Sequence, residues 1–206
     1  MNIGILGNKI GMTQIFDKNG DVISVTVIKT GPCVITQIKS LENCGYNAIQ
    51  VGYTEISANS KSLTKPRLGH FNKVNLPAYR FLKEFRMENL NDYKVGEIFT
   101  VENFKIGQFV NISGLSIGKG FAGNVKRNNF ATGPKTHGSK HHRLQGSLGA
   151  GTTPGRVFPG KKMSGHLGNT QVTIKSLQII DIDTKENLLI VKGAIPGKSG
   201  NLVSIR

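Results

Sequence analysis

The run GKGFAG at 118–123 matches the G-x-G-x-x-G pattern of a dinucleotide-binding loop and follows a strand-like segment. That chemistry also needs an acidic residue about 20 positions further on, which holds a ribose hydroxyl. The next acidic residue is Asp181, and the nearest charges are Lys126 and Arg127. The pattern therefore favours a glycine turn whose backbone approaches phosphate, with both cations on a short following helix. An NAD(P)-dependent enzyme using GKGFAG stays as the alternative.

Three histidines, His137, His141 and His142, raise the possibility of a metal site. Their charged neighbours are cationic, and no cysteine or carboxylate lies nearby, so a zinc site is disfavoured. Together with Arg143 they are better suited to stacking on bases and to bonding phosphates and 2′-hydroxyls. Acid–base catalysis through His166 or His137 has no support, because no poised nucleophile or G-x-S-x-G turn accompanies them. We predict no catalytic residue, no metal and no cofactor.

The segment from Asn103 to Ile180 contains no aspartate or glutamate. It carries eleven Lys or Arg, four of the five histidines and fourteen of the 26 glycines, in a chain of formal charge +15. Such a segment repels itself, and its natural partner is a polyanion, most commonly nucleic acid. A solvated basic face without a specific partner is the plain alternative. Glycines and isolated apolar residues interleave with the charges, which favours a segment threaded through RNA.

A chain of 206 residues fits one domain, or one domain with an appendage. Cys33 and Cys44 do not form a CxxC pair. Two reduced thiols are favoured over a disulfide. No apolar run approaches the ~18–20 residues of a membrane span. The start, MNIGILGNKIGM, resembles neither a signal nor a transit peptide, so we expect the protein to act where it is made.

Short alternating segments predict a strand-rich body, with a hairpin turn at Asn19-Gly20. A helix is predicted to start at Thr64, and Tyr79–Phe85 is ambiguous between helix and strand. No periodicity is evident from Lys135 to Asn169, where Gly, Ser, Thr and Pro dominate. The predicted strands are Ile3–Leu6, Thr13–Phe16, Val22–Lys29, Val34–Lys39, Ala48–Tyr53, Ile98–Val101, Phe109–Ile112, Val172–Ile182, Leu188–Lys192 and Leu202–Ile205.

The run FKIGQFVNISGLSIGKGFAGNVKR, from Phe104 to Arg127, resembles the signature of the universal large-subunit ribosomal protein L3 family. Further stretches are similar to that family over essentially the whole chain: GNKIGMTQIF, GHF at 69–71, THG at 136–138, TPGRVFPGKKMSGHLGN from Thr153 and NLLIVKGAIPG from Asn187. The matching signature residues are Phe104, Asn111, Gly114, Ser116, Gly118, Lys119, Gly120, Gly123 and Arg127.

The resemblance implies a mainly β fold: a six-stranded translation-protein-type β-barrel with a small α/β insertion and a long irregular basic extension. The expected divisions are 1–57 for the first part of the barrel, 58–95 for the insertion, 96–118 for the return to the barrel, 119–169 for the extension and 170–206 for the last barrel strands. It also implies a structural constituent of the large ribosomal subunit that binds rRNA, acts early in assembly and contacts neighbouring ribosomal proteins. A non-ribosomal RNA chaperone is a second alternative.

The expected RNA-binding residues all lie in the extension: Lys119, Lys126, Arg127, Lys135, His137, Lys140, His141, His142, Arg143, Arg156, Lys161 and Lys162. By resemblance, the tip directed toward the peptidyl transferase centre comprises Ser147, Gly149, Gly151, Thr152, Thr153 and Pro154. Many bacterial members have tryptophan at the position of Asn128. Some methylate a glutamine at the position of Thr152, so that modification is not expected here. The tip resembles cyanobacterial and plastid members, which implies a plastid ribosome, with the bacterial cytoplasm as the alternative.

Overall fold

A computed structural model describes residues 4–57, 63–90 and 92–206 of the chain. The strands are β1 Ile5–Phe16, β2 Val22–Thr30, β3 Cys33–Lys39, β4 Ala48–Ile56, β5 Ala78–Arg86, β6 Ile98–Phe99, β7 Phe109–Leu115, β8 Gly120–Ala122, β9 Gly165–Leu167, β10 Gln171–Asp183, β11 Leu188–Lys192 and β12 Leu202–Ile205. The helices are α1 Leu41–Cys44, α2 Lys65–Asn72 and α3 Asn124–Asn128, with a 3₁₀ turn at Val101–Asn103. The prediction of a mainly β protein is confirmed.

The chain forms two compact units. The first contains the described residues up to Leu115 together with Gln171–Arg206, and the second is Ser116–Thr170. No helix in the described part of the chain is long and apolar enough to cross a membrane.

In the first unit, six strands pair in the order β1-β12-β7-β10-β11-β2, and β2 pairs with β1 to close the barrel. All six pairings are antiparallel. Their register sets Ile28 opposite Leu189 and Ile112 opposite Ile205. These four side chains are fully buried in one hydrophobic cluster. Closure leaves no unpaired strand edge in this sheet, which removes a route to edge-to-edge association.

The predicted hairpin turn at Asn19-Gly20 is confirmed by the antiparallel pairing of β1 and β2. Gly20 has a φ of +85°, and its N–H donates to the carbonyl of Asp17 at 2.9 Å. This left-handed conformation favours glycine, because a side chain there would clash with the backbone.

The two strands predicted at Ile3–Leu6 and Thr13–Phe16 are a single strand, β1, and Ile3 lies outside the described residues. The prediction broke the strand at Gly7, because a glycine weakens a strand interior and often marks a turn or bulge. Gly7 instead lies inside the strand, where an added Cβ would come within 2.8 Å of the backbone of β2. The pairing of β1 with β2 then shifts register between Lys9 and Gly11, as at a β-bulge.

A second sheet in the same unit has the order β5-β4-β3-β6. This differs from the expected divisions, which gave β3 and β4 to the barrel as part of 1–57 and β6 to the return at 96–118. Alternation along a strand indicates that one face is buried but does not identify the pairing strand. Here Ile35, Ile49 and Val51 bury that face against Ile5 and Leu6 of β1.

The predicted helix start at Thr64 is confirmed, because α2 begins at Lys65 with Thr64 as its extended N-cap residue. Pro66 occupies the first turn, where its missing N–H costs no intrahelical bond. Within α2, Phe71 is fully buried. The ambiguous run Tyr79–Phe85 forms part of strand β5. The expected insertion boundary at 58 falls within residues 58–62, outside the described residues.

Candidate nucleic-acid interface

The glycine run at 118–123 places a short strand directly before a short helix in the second unit. Gly120 has a φ of +64°, and Lys119 donates its backbone N–H to the carbonyl of Leu167 at 2.9 Å. Gly123 is the N-cap of α3, which carries the expected cations Lys126 and Arg127 in its last turn. Because β8 pairs antiparallel with β9, this run does not have the parallel βαβ setting of a dinucleotide site.

Side-chain hydrogen bonds join α3 to the backbone at Met163, about 36 residues further along the chain. The guanidinium of Arg127 donates from Nη1 to the carbonyl of Met163 at 2.7 Å, and Asn128 donates to the same oxygen from Nδ2 at 3.1 Å. Asn128 also donates to Oδ1 of Asn124 at 2.8 Å, and Asn124 donates to Oε1 of Gln145 at 3.1 Å. These bonds order part of the unit without any carboxylate.

The histidine cluster lies on a tight loop that returns on itself. The backbone N–H of Gly133 donates to the carbonyl of His142 at 3.0 Å. Nδ1 of His142 donates to the carbonyl of Pro134 at 2.9 Å, which fixes the proton on that nitrogen because a carbonyl only accepts. His137 has a φ of +58° at the turn, and His141 is exposed.

The expected tip is a second set of tight turns. The hydroxyl of Ser147 donates to the carbonyl of Gly149 at 3.0 Å, and its oxygen accepts from the backbone N–H of Gly149 at an N···O distance of 3.3 Å. Gly151 has a φ of +109°, and its carbonyl accepts from the N–H of Gly155 at 3.0 Å. Every residue from Ser147 to Pro154 is exposed, so this loop leaves its backbone and mostly small side chains accessible to solvent.

All twelve expected RNA-binding residues are exposed. Sequence reasoning omitted two other exposed residues, Phe121 and His166, which are cross-strand partners in the β8–β9 pair. It missed them because β9 is only three residues long and lies in a stretch without periodicity.

In the first unit, Lys39 and Lys83 have side-chain hydrogen-bond partners. Lys39 pairs with Glu84 at 2.6 Å, and Tyr46 donates to the other oxygen of Glu84 at 2.8 Å. These bonds, led by the one from Lys39, lower the pKa of Glu84. Lys83 donates to the hydroxyl of Ser204 at 2.8 Å, and burial lowers its pKa. Such compensation by a carboxylate cannot occur within Ser116–Thr170, since that unit has none.

The cysteines are free thiols: Cys33 is buried and Cys44 is exposed. Burial raises the pKa of Cys33 to about 11. In residues 4–57, 63–90 and 92–206 there is no group of three or more His, Cys, Asp or Glu able to hold a metal ion.

Taken together, the fold and the interface define a mainly β protein with a separate cationic unit that has no internal counter-charge. Residues 82–189 match the family model for ribosomal protein L3. The chain is 57% identical over 205 residues to large ribosomal subunit protein uL3c of Phaeodactylum tricornutum, covering 100% of this chain and 98% of that protein. It is 55% identical to uL3c of Gracilaria tenuistipitata var. liui, with coverage of 100% and 99%, and 56% identical to uL3 of Trichormus variabilis, with coverage of 100% and 96%. The chain belongs to the ribosomal protein L3 family.

Proposed function

We propose that this protein is a structural component of the large ribosomal subunit that binds large-subunit rRNA directly. Full-length identity of 57% to a large-subunit protein carries the proposal, and the carboxylate-free unit supplies its physical basis. Cations of the segment 119–169 neutralise phosphates where RNA helices converge and would otherwise repel one another. The contacts are assigned to the twelve exposed residues from Lys119 to Lys162 named above.

The two units have different roles in this proposal. The barrel is of the translation-protein type, docks on a preformed rRNA face and contacts neighbouring ribosomal proteins. The segment 119–169 threads inward, with Ser147–Pro154 directed toward the peptidyl transferase centre. Its abundant glycines suit narrow gaps, since a residue without Cβ lets backbone approach RNA closely. Early binding of both units nucleates assembly of the large subunit.

The plastid ribosome is the proposed location, and the bacterial cytoplasm is the alternative. Relatives named uL3c from algae, at 55–57% identity, support the plastid, and the cyanobacterial relative named uL3, at 56% identity, supports the alternative. The proposal assigns no catalytic residue, metal or cofactor to the chain.

Sedimentation of an extract from the native source tests the proposal. The protein is expected to travel with the large subunit and its precursors, and a chelator that separates the subunits should leave it on the large one. A pool that sediments free of ribosomes would favour an RNA chaperone instead. Titration of the free protein with NAD(P) tests the enzyme alternative, which requires saturable binding near micromolar concentration.

A further inference from the structure

The β8–β9 ribbon has two unlike faces. On one face Ala122 is 4% exposed. Its cross-strand partner Gly165 lies against Arg127, because a Cβ added to Gly165 would come within 2.7 Å of the guanidinium nitrogen. This face is therefore covered within the second unit.

The opposite face carries Phe121 and His166, which are directly opposite each other in the register. Phe121 is 80% exposed, the largest fraction among the large apolar side chains of the described residues. His166 is also exposed. Residues directly opposite on an antiparallel pair point the same way, with Cβ atoms about 5 Å apart. The two rings thus share one solvent-facing surface.

The space around Phe121 is open. At 80% exposure, the ring is left largely uncovered by the rest of the described chain. A phenylalanine left in water gains little of the stabilisation that burial would give it. The ring at this position therefore contributes little to folding and is free to contact a partner.

We propose that Phe121 and His166 form a stacking platform for an unpaired base of rRNA. This assignment rests on the proposed function and adds the feature of RNA that the site takes. Aromatic side chains recognise RNA by stacking on bases that are splayed out of a helix. Charge complementarity favours RNA over a protein partner, because Lys119 and Lys126 lie two and five positions from Phe121 in the sequence and the unit has no carboxylate.

The first test is binding of full-length protein to deproteinised large-subunit rRNA, with Phe121→Ala and Phe121→Tyr compared. Loss of one stacked base weakens binding about 5- to 150-fold, so the alanine variant should fall in that range. The tyrosine variant keeps the ring and should bind within about twofold of the wild type. Phe109→Ala is the matched control, because Phe109 is 66% exposed but lies on the barrel.

The salt dependence separates stacking from charge. Phe121→Ala should leave the slope of log affinity against log salt unchanged, whereas Lys119→Gln should reduce its magnitude by about 1. Circular dichroism should show both variants folded, since both side chains are exposed.

Ultraviolet crosslinking of native large subunits supplies an independent readout. A nucleotide adduct is expected on Phe121 or His166. Wild-type binding by Phe121→Ala, or an adduct of these residues with another protein, overturns the platform while leaving the proposed function intact. Failure of the wild-type protein to bind rRNA would instead refute the proposed function.

Discussion

Removal of two cations from the second unit should change the salt dependence of rRNA binding by a calculable amount. Nine of the expected contact residues are Lys or Arg, and all nine are exposed. Arg127 commits one guanidinium nitrogen to the carbonyl of Met163, which leaves about eight cations for phosphates. At about 0.7 to 0.9 per phosphate, log affinity should fall with log salt at a slope of about −6 to −7.

The double variant Lys161→Gln/Lys162→Gln removes two of these charges without touching a buried side chain. Its slope should be smaller in magnitude by about 1.4 to 1.8. Between 50 and 200 mM salt, the loss of affinity should then be about 7- to 12-fold smaller than for the wild type. Filter binding or fluorescence anisotropy with deproteinised large-subunit rRNA measures both quantities.

Lys18→Gln/Lys185→Gln is the matched control, because it removes the same charge from two exposed turns of the first unit. Its slope should stay near that of the wild type. A control slope that falls by as much as the test slope would show that the contacts are not concentrated in the second unit. A wild-type affinity independent of salt would refute the polyelectrolyte argument itself.

Four further predictions concern stability and reactivity. Lys9→Met should lower the free energy of unfolding by about 1–3 kcal/mol in urea titrations, with Lys18→Met unchanged, because the buried ammonium of Lys9 donates to two carbonyls in the β11–β12 loop. Equal stability of both variants would contradict this. The Cys33 thiol should react with a thiol reagent at pH 8 far more slowly than Cys44, and denaturant should abolish the difference, since burial raises its pKa to about 11. The contribution of the Cys33 thiol to the free energy of unfolding should be complete below about pH 9. It should be lost as pH rises toward 11, because the thiol ionises at lower pH in the unfolded chain than in the folded one. Deletion of 135–169 should leave the first unit folded by circular dichroism, whereas loss of its β signal would show that the two units fold together.

Local signals in the sequence predicted local structure well. The Asn19-Gly20 turn and the Thr64 helix start depend on residues a few positions apart, and both are confirmed. The expected place of β3 in the barrel was wrong, because the choice of pairing strand depends on residues far away in the chain. Tyr79–Phe85 stayed ambiguous for the same reason: its strand conformation is set by pairing with β4.

For the candidate interface, too, the sequence predicted the local features and missed the contacts between distant residues. Its cations were all identifiable from the sequence, because charge is a property of each residue alone and long polar side chains stay in water. The two hydrogen bonds to the carbonyl of Met163 were not predictable, since their donors on α3 lie 35 and 36 positions away in the sequence. The pairing of Phe121 with His166 likewise depends on a contact across 45 residues.

The amino-acid sequence alone determined the sign and density of charge, the lack of carboxylate between Asn103 and Ile180, and the strand-forming character of the body. Only the tertiary structure decided which strands close the barrel, which form a separate sheet, and which aromatic side chains share an exposed face. The reason is that composition is a property of each residue, whereas strand pairing depends on the whole chain. Pairing distant strands costs the conformational entropy of closing a long loop, and the burial of apolar surface that offsets this cost exists only once the strands have met.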